Sequence, residues 1–335
     1  MERNRDNVVG HVSVSGTVVE FQDTACDNCG GRDADILFTG TDRFLFLPGE
    51  FRLVQCFTCG LIRQNPMPSA AGMSAYYPPD YEPYSTSIDR EPVFWRRWDR
   101  RYGMMKRRRL VEGMIPSGRL LDVGCATGNF LAEMQRTGRW EVVGVEPSAH
   151  AANYAVKEQG LDVRIGTCRE IDFPDASFDV ITLWNVLEHL NTPITDLRRL
   201  ERWLKPGGCL VFSLPNLESY EVRLFGRRWF GWELPRHLYF FPRETLARLT
   251  RDLDLTIETS TCLSGTHLGF TLSFRHFFAE WPVPPRWHHL LSIYLDSLPC
   301  RLTLLPVFYL LGRFGQGMIV TYTARKGSTV ARLRS

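Results

Sequence analysis

The stretch Leu120-Leu121-Asp122-Val123-Gly124-Cys125-Ala126-Thr127-Gly128-Asn129-Phe130 constrains this chain more than any other. A short apolar run that ends in a glycine-bearing turn and then a helix is how open α/β sheets build a ligand crevice at their carboxyl edge. Gly124 and Gly128 let the backbone approach a ligand where a side chain would collide. A helix beginning near Asn129 aims free N–H groups at the same place. A second strand, Trp140–Glu146, ends in a carboxylate 24 residues beyond Asp122. A carboxylate at that tip is placed to accept both hydroxyls of a ribose.

What is missing narrows the nucleoside. A dinucleotide fingerprint needs G-x-G-x-x-G, but Ala126 stands at the second glycine place and Asn129 at the third. There is no G-x-x-x-x-G-K-[ST] phosphate loop either. A nucleoside without a pyrophosphate fits better, and S-adenosylmethionine is the common one. Taken alone, the run is also compatible with an ordinary strand, turn and helix.

Later landmarks add to it. Residues 171–184 read as a loop, a turn and a buried fourth strand, and Thr192-Pro193 opens a helix. Leu204-Lys205-Pro206-Gly207-Gly208 is a helix end and tight turn that feeds the strand Cys209–Ser213. The Asp122 run resembles the first motif of class I S-adenosylmethionine-dependent methyltransferases, hydrophobic-hydrophobic-Asp-x-Gly-x-x-x-Gly. Order and spacing are similar to the group of ubiquinone-pathway and polysaccharide-cluster methyltransferases, over roughly residues 114–262 and a final strand near 317–325. The resemblance implies an α/β, Rossmann-like seven-stranded methyltransferase sheet with S-adenosylmethionine as cofactor. It implies that Asp122, Gly124 and Gly128 shape the methionine end of the pocket and that Glu146 takes the ribose. The third strand, Asp162–Ile165, ends at Gly166-Thr167-Cys168. That tip flanks the adenine in similar enzymes, which usually carry Asp or Asn near the places of Thr167 and Cys168. Trp184 and Asn185, at the tip of strand four, are expected to face the sulfonium.

Ahead of this domain stand Cys26-Asp27-Asn28-Cys29-Gly30 and Cys56-Phe57-Thr58-Cys59-Gly60. Each C-x-x-C-G is a tight knuckle whose thiolates point at one place, and two knuckles complete the tetrahedral S₄ set that zinc favours. With no open position for water, such a site is structural. A redox C-x-x-C is the competing reading. The other five of nine cysteines are scattered singly, which suits a reducing compartment. The charged N-terminus leads to no apolar signal segment. The expected location is therefore cytoplasmic, with a peripheral membrane contact as an open addition. A length of 335 residues allows one large domain with one or two small ones, and a net charge of +3 is too mild to argue for nucleic acid.

The expected organisation is an N-terminal strand and zinc ribbon over 1–64, a Pro/Tyr-rich linker and basic helix over 65–113, and the cofactor domain over 114–262. An aromatic and apolar insertion over 263–316 and a last strand with a basic tail over 317–335 complete it. The Pro/Tyr segment is either a surface linker or a flap with Tyr76, Tyr77 and Tyr81 lining the pocket. The helix over 89–113 carries nine Lys or Arg between Arg90 and Arg109 against two acids. It is a solvated face, or a surface for anionic lipid, for a phosphate-bearing substrate or for RNA.

Two histidines are candidate bases. Glu188 and His189 follow strand four, where capping and packing explain them as well as catalysis does. His237 sits in the aromatic and cationic stretch 223–241 and is the preferred general base, because an ordinary pKa near 6.5 suits proton removal around neutrality. The apolar run 302–311 is half a bilayer crossing, read as a core or dimer element or as a monotopic patch that grips a lipid-linked acceptor. The reading is an S-adenosylmethionine-dependent methyltransferase with a structural zinc clip. Its expected acceptor is a small molecule, a sugar or a nucleotide- or lipid-linked glycan, methylated at O or C. An RNA methyltransferase and a non-catalytic cofactor-binding partner are the alternatives.

Overall fold

A computed structural model describes residues 8–78, 88–263, 266–279 and 284–328. Tyr81, Tyr84 and Trp281 lie outside them. The chain forms two compact units, each assembled from three segments: Met1–Tyr76, Leu214–Thr245 and Thr261–Val320 in the first, Tyr77–Ser213, Leu246–Ser260 and Thr321–Ser335 in the second.

In the first unit, β1 (Val8–Val14) and β2 (Thr17–Gln22) form an antiparallel hairpin, closed by Ser15 and Gly16 in left-handed conformations. β3 (Ala34–Gly40), β4 (Phe51–Cys56) and β5 (Ile62–Gln64) make an antiparallel sheet, while β6 (Met67–Pro68) joins the hairpin. The fourth strand of that sheet comes from far along the chain. β12 (Tyr239–Phe240) pairs with β5, and the Gln64 side chain donates to the carbonyls of Pro235 and His237, each at 2.8 Å. Contacts group the chain differently from the organisation expected from sequence. Residues 214–245, expected inside the cofactor domain, belong to the unit that carries the paired cysteines, and so does the insertion.

The reason is a buried polar and aromatic seam. Arg236, fully buried, makes a two-pronged bond to Asp42 at 2.7 and 2.9 Å and a third to Glu233 at 3.0 Å. Asp42 also accepts the N–H groups of Phe44 and Leu45. Beside it, Phe225, Trp229, Phe230 and Met318 form an apolar cluster with Phe270, Phe274 and Phe277 from the helix Thr266–Ala279. Asn216 ties this segment down by donating to the carbonyls of Gly315 and Gly317.

The second unit is built on the expected seven-stranded sheet. Its strands are β7 (Gly118–Val123), β8 (Trp140–Glu146), β9 (Asp162–Ile165), β10 (Phe178–Trp184), β11 (Leu204–Pro215), β13 (Leu255–Thr261) and β14 (Ile319–Lys326). Their order is β13-β14-β11-β10-β7-β8-β9, with parallel pairing from β11 through β9. β7, β8 and β10 carry largely apolar centres rather than strict alternation because both sheet faces are covered, which is the pattern of parallel strands. Leu120, Leu121, Val143, Val180 and Ile181 are fully or almost fully buried. On the helix Pro193–Trp203, Ile194, Leu197, Leu200 and Trp203 recur at helical spacing and bury that face. From β7 the chain runs outward through β8 to β9, then returns to β10 on the other side. That reversal opens a crevice beyond the carboxyl ends of β7 and β10.

Candidate active site

The crevice is lined by the tips of four parallel strands in the second unit. Glu146, at the end of β8, is 2% exposed. One carboxylate oxygen accepts the Ala126 N–H at 2.9 Å and the other the Ser148 N–H at 2.7 Å. Each oxygen keeps a second lone pair, so a ribose diol can still be received by a carboxylate whose orientation is already fixed. Burial raises its pKa, and the two N–H bonds oppose the rise. Ala126 adopts a left-handed φ of 49°, which turns its N–H toward Glu146.

Asp122, near the end of β7, is equally buried and accepts the Thr182 hydroxyl at 2.6 Å. Burial pushes its carboxyl up to about 7 and the Glu146 charge adds to that. The Thr182 bond and the Arg107 charge pull the other way. Gly124 and Gly128 have φ of 69° and 78°, conformations that L side chains rarely adopt. Packing within the protein constrains both positions as well. A Cβ on Gly124 would lie 2.6 Å from the Val186 side chain, and one on Gly128 would lie 2.5 Å from Leu161. The bare positions let the turn pack against the protein itself.

The other expected cofactor residues are placed as follows. Thr167, beyond β9, uses both its N–H and its hydroxyl to bond Glu170, and the neighbouring Cys168 is 5% exposed. Trp184 is half-buried and meets Phe130 edge-on at 5.2 Å, while Asn185 takes a left-handed φ of 57°. His189 is half-buried, and its Nδ1 lies 2.8 Å from the Tyr77 hydroxyl. Tyr77 thus fixes the ring of one candidate base.

Sequence reasoning missed Arg107. It was counted among the basic residues of a solvated helix, yet its guanidinium lies 4.6 Å over the Trp184 ring and its charge acts on Asp122. The signal was present. Met104, Arg107, Val111 and Met114 recur at helical spacing on Phe94–Met114, so the arginine interrupts the stripe that packs on the core. A cation set there can hold a ligand carboxylate, the group that the methionine end of the cofactor carries. Thr182, which seats Asp122, had no such signal inside an apolar strand.

In the first unit, the sulfurs of Cys26, Cys29, Cys56 and Cys59 all lie within 4.8 Å of one another. Cys26 to Cys59 and Cys29 to Cys56 are each 3.5 Å, and all four are free of disulfides. Zinc–sulfur bonds of about 2.3 Å place tetrahedral ligands roughly 3.8 Å apart, so the donor set fits the ion. Each knuckle closes with a glycine N–H to the first cysteine's carbonyl, Gly30 to Cys26 and Gly60 to Cys56.

His237 also lies in the first unit, 6% exposed, with Nδ1 2.8 Å from the Gly231 carbonyl oxygen. Its expected pKa near 6.5 is corrected. Burial lowers it to about 4, with Arg236 acting in the same direction and the Gly231 bond against it. Near neutrality the ring is uncharged but a weak proton acceptor.

Comparison with known proteins returns the same chemistry. Residues 95–260 match a family model described as a methyltransferase domain. The chain is 35% identical over 132 residues to the ubiquinone biosynthesis O-methyltransferase of Maricaulis maris, covering 37% of this chain and 51% of that one. It is 30% identical over 169 residues to the enzyme of the same name from Alkalilimnicola ehrlichii, covering 47% of this chain and 68% of the relative. Among the first curated relatives it matches, the chain spans about half their length. A Thermotoga maritima structure described as an S-adenosylmethionine-dependent methyltransferase, a possible histamine N-methyltransferase, is 20% identical. It aligns with a TM-score of 0.44 over 69% of this chain and 94% of its own. With two thirds of a 30%-identical relative covered, and a methyltransferase family model matching residues 95–260, this chain belongs to the S-adenosylmethionine-dependent methyltransferase family.

Proposed function

We propose that the crevice of the second unit binds S-adenosylmethionine and directs its methyl group to a small-molecule acceptor. The observation that carries this is the pair of buried carboxylates at adjacent strand tips, Glu146 held by two backbone N–H groups and Asp122 by Thr182. Glu146 would take the ribose, Asp122 the cationic methionine end and Arg107 its carboxylate. The cofactor supplies an already activated methyl on a sulfonium, so the chain's own work is alignment, water exclusion and, for a hydroxyl acceptor, acceptance of a proton. His189, oriented by Tyr77, is the base we favour over the buried His237. Zinc held by Cys26, Cys29, Cys56 and Cys59 is structural in this reading, since four thiolates leave no open position.

The finer proposal is an acceptor that carries a phosphate, such as a nucleotide- or lipid-linked sugar. Its support is a cavity of about 260 Å³ in the first unit, whose lining includes Arg43, Arg227 and Arg228 against one acid, Glu233, together with Phe44 and Trp232. Arginine and aromatic faces together suit a phosphate on a ring-bearing molecule.

Two experiments test the cofactor assignment. Removing the two charge-assisted bonds from Glu146 to the ribose, in Glu146→Ala, is expected to weaken S-adenosylmethionine binding about a hundredfold or more in calorimetry. Unchanged affinity removes the ribose role. The second test uses pH. A carboxyl raised to about 7 is largely ionised at pH 8 and largely protonated at pH 6. A cationic ligand that needs the anion therefore loses about tenfold in affinity as pH falls from 8 to 6. Because the folded-state pKa is raised, the ligand-free fold is favoured at low pH and loses that contribution as pH rises from 3.8 through 7. Stability of the free chain and affinity for the cofactor thus move in opposite directions. Asp122→Asn should flatten the affinity profile, and a flat profile in the unaltered protein would falsify the Asp122 role.

A further inference from the structure

The helices Pro285–Asp296 and Leu298–Arg313 of the first unit expose more large apolar surface than any other part of the described chain. Trp287, Leu290 and Tyr294 are more than half exposed, and so are Leu302, Leu305 and Tyr309. Within each helix these residues are spaced three and four apart, so each set forms one stripe. Val307 and Leu310, on other sides of the same helix, are also more than half exposed, and Phe314 just beyond its end is 77% exposed. A soluble chain rarely leaves a contiguous apolar face of this size to water, and nothing in the methyl-transfer reading uses it.

The charge on this face is one-sided. Arg286, Arg301 and Arg313 stand along the two helices, with His288 and His289 beside Trp287. Asp296 is the one acid between residues 285 and 314, and it is bound to Arg275 at 2.6 Å. Two aromatic types favoured at a bilayer's headgroup level, Trp and Tyr, supply three of the uncovered side chains. Neither helix is long enough to cross by itself. Leu298–Arg313 has 16 residues, about 24 Å of helix against a hydrocarbon core of about 30 Å, and contains Pro306. It meets its neighbour at a 64° bend, and no single described helix is long and apolar enough to span a membrane.

We propose that this bent helical pair lies in the plane of an anionic lipid surface, with its apolar stripes among the acyl chains and its arginines at the phosphates. A second copy of the chain is the other occupant such a face can have. A two-fold contact would pack two faces of the same positive sign, Arg286 and Arg313 included, against each other, whereas an anionic leaflet complements that charge. The inference is independent of the acceptor, because the test uses lipid alone.

The experiment is flotation of the full, metal-loaded chain with vesicles of phosphatidylcholine, with and without phosphatidylglycerol. Flotation with the anionic vesicles is expected, weaker in high salt and on phosphatidylcholine alone. The double substitution Leu302→Glu and Leu305→Glu, both at exposed positions, should lower vesicle partitioning more than tenfold. It should leave melting temperature and S-adenosylmethionine affinity unchanged. No flotation with anionic vesicles overturns the proposal. So does a stable dimer in sedimentation that the double substitution dissociates while vesicle binding stays absent, since the face is then a self-interface.

Discussion

Loading the chain with a zinc chelator, or replacing Cys26 by Ser, is expected to unfold the first unit. Structural zinc sites of four thiolates contribute on the order of 10 kcal/mol to the fold that assembles them, more than a small module keeps in reserve. The effect should reach beyond the knuckles. Cys56 closes β4, and β4 pairs with β5, which in turn holds β12 and the segment 214–245. The measurement is a melting curve with metal content determined on the same sample. A chain that carries no zinc yet melts at the same temperature before and after chelation would reduce the cluster to four thiols. Rapid reaction of all four cysteines with a thiol reagent, only after chelation, would support the metal.

The second large effect is expected at Asp42. Replacing it by Ala leaves the Arg236 guanidinium buried with Glu233 as its remaining carboxylate and deprives the Phe44 and Leu45 N–H groups of their acceptor. Breaking one side of a buried ion pair costs about 3–5 kcal/mol, chiefly because an uncompensated charge stays in a dry interior. The triple variant Asp42→Ala with Arg236→Met and Glu233→Gln should recover part of that loss, since it removes the stranded guanidinium together with the charge of its other carboxylate partner. Urea midpoints of the single and triple variants decide the matter. A triple variant no more stable than the single one would mean that shape, and not charge, governs the seam.

Legibility in the sequence followed locality. The parallel strands announced themselves as apolar runs, and their tips located Asp122, Glu146, Trp184 and Asn185 because a crevice at the carboxyl edge follows from strand order. The two C-x-x-C-G knuckles were legible because a tight turn and its glycine are neighbours in sequence. What could not be read was pairing over long separations. Nothing in Tyr239-Phe240 says that its partner is Ile62-Arg63, and nothing in Asp42 says that Arg236 will close on it across 194 positions. Thr182 was invisible for a related reason, since a hydroxyl in a strand declares no partner until the neighbouring strand is in place. His237 shows the opposite error. Its neighbours in sequence suggested an accessible, cationic rim, but burial decides a histidine's protonation more strongly than the residues beside it.

The three-part construction of the first unit bears on how the chain is made. On a ribosome, both cysteine knuckles emerge before residue 60, while β12 appears some 180 residues later and Met318 near the end. The cysteine-bearing half must wait, partly formed, until five strands of the other unit's sheet, β7 to β11, have been synthesised. Contacts of such long range are slow to form and leave surfaces uncovered meanwhile. Grafting the cysteine module onto another protein by cutting at residue 64 would therefore transplant an incomplete object. A working graft has to carry the distant segments with it.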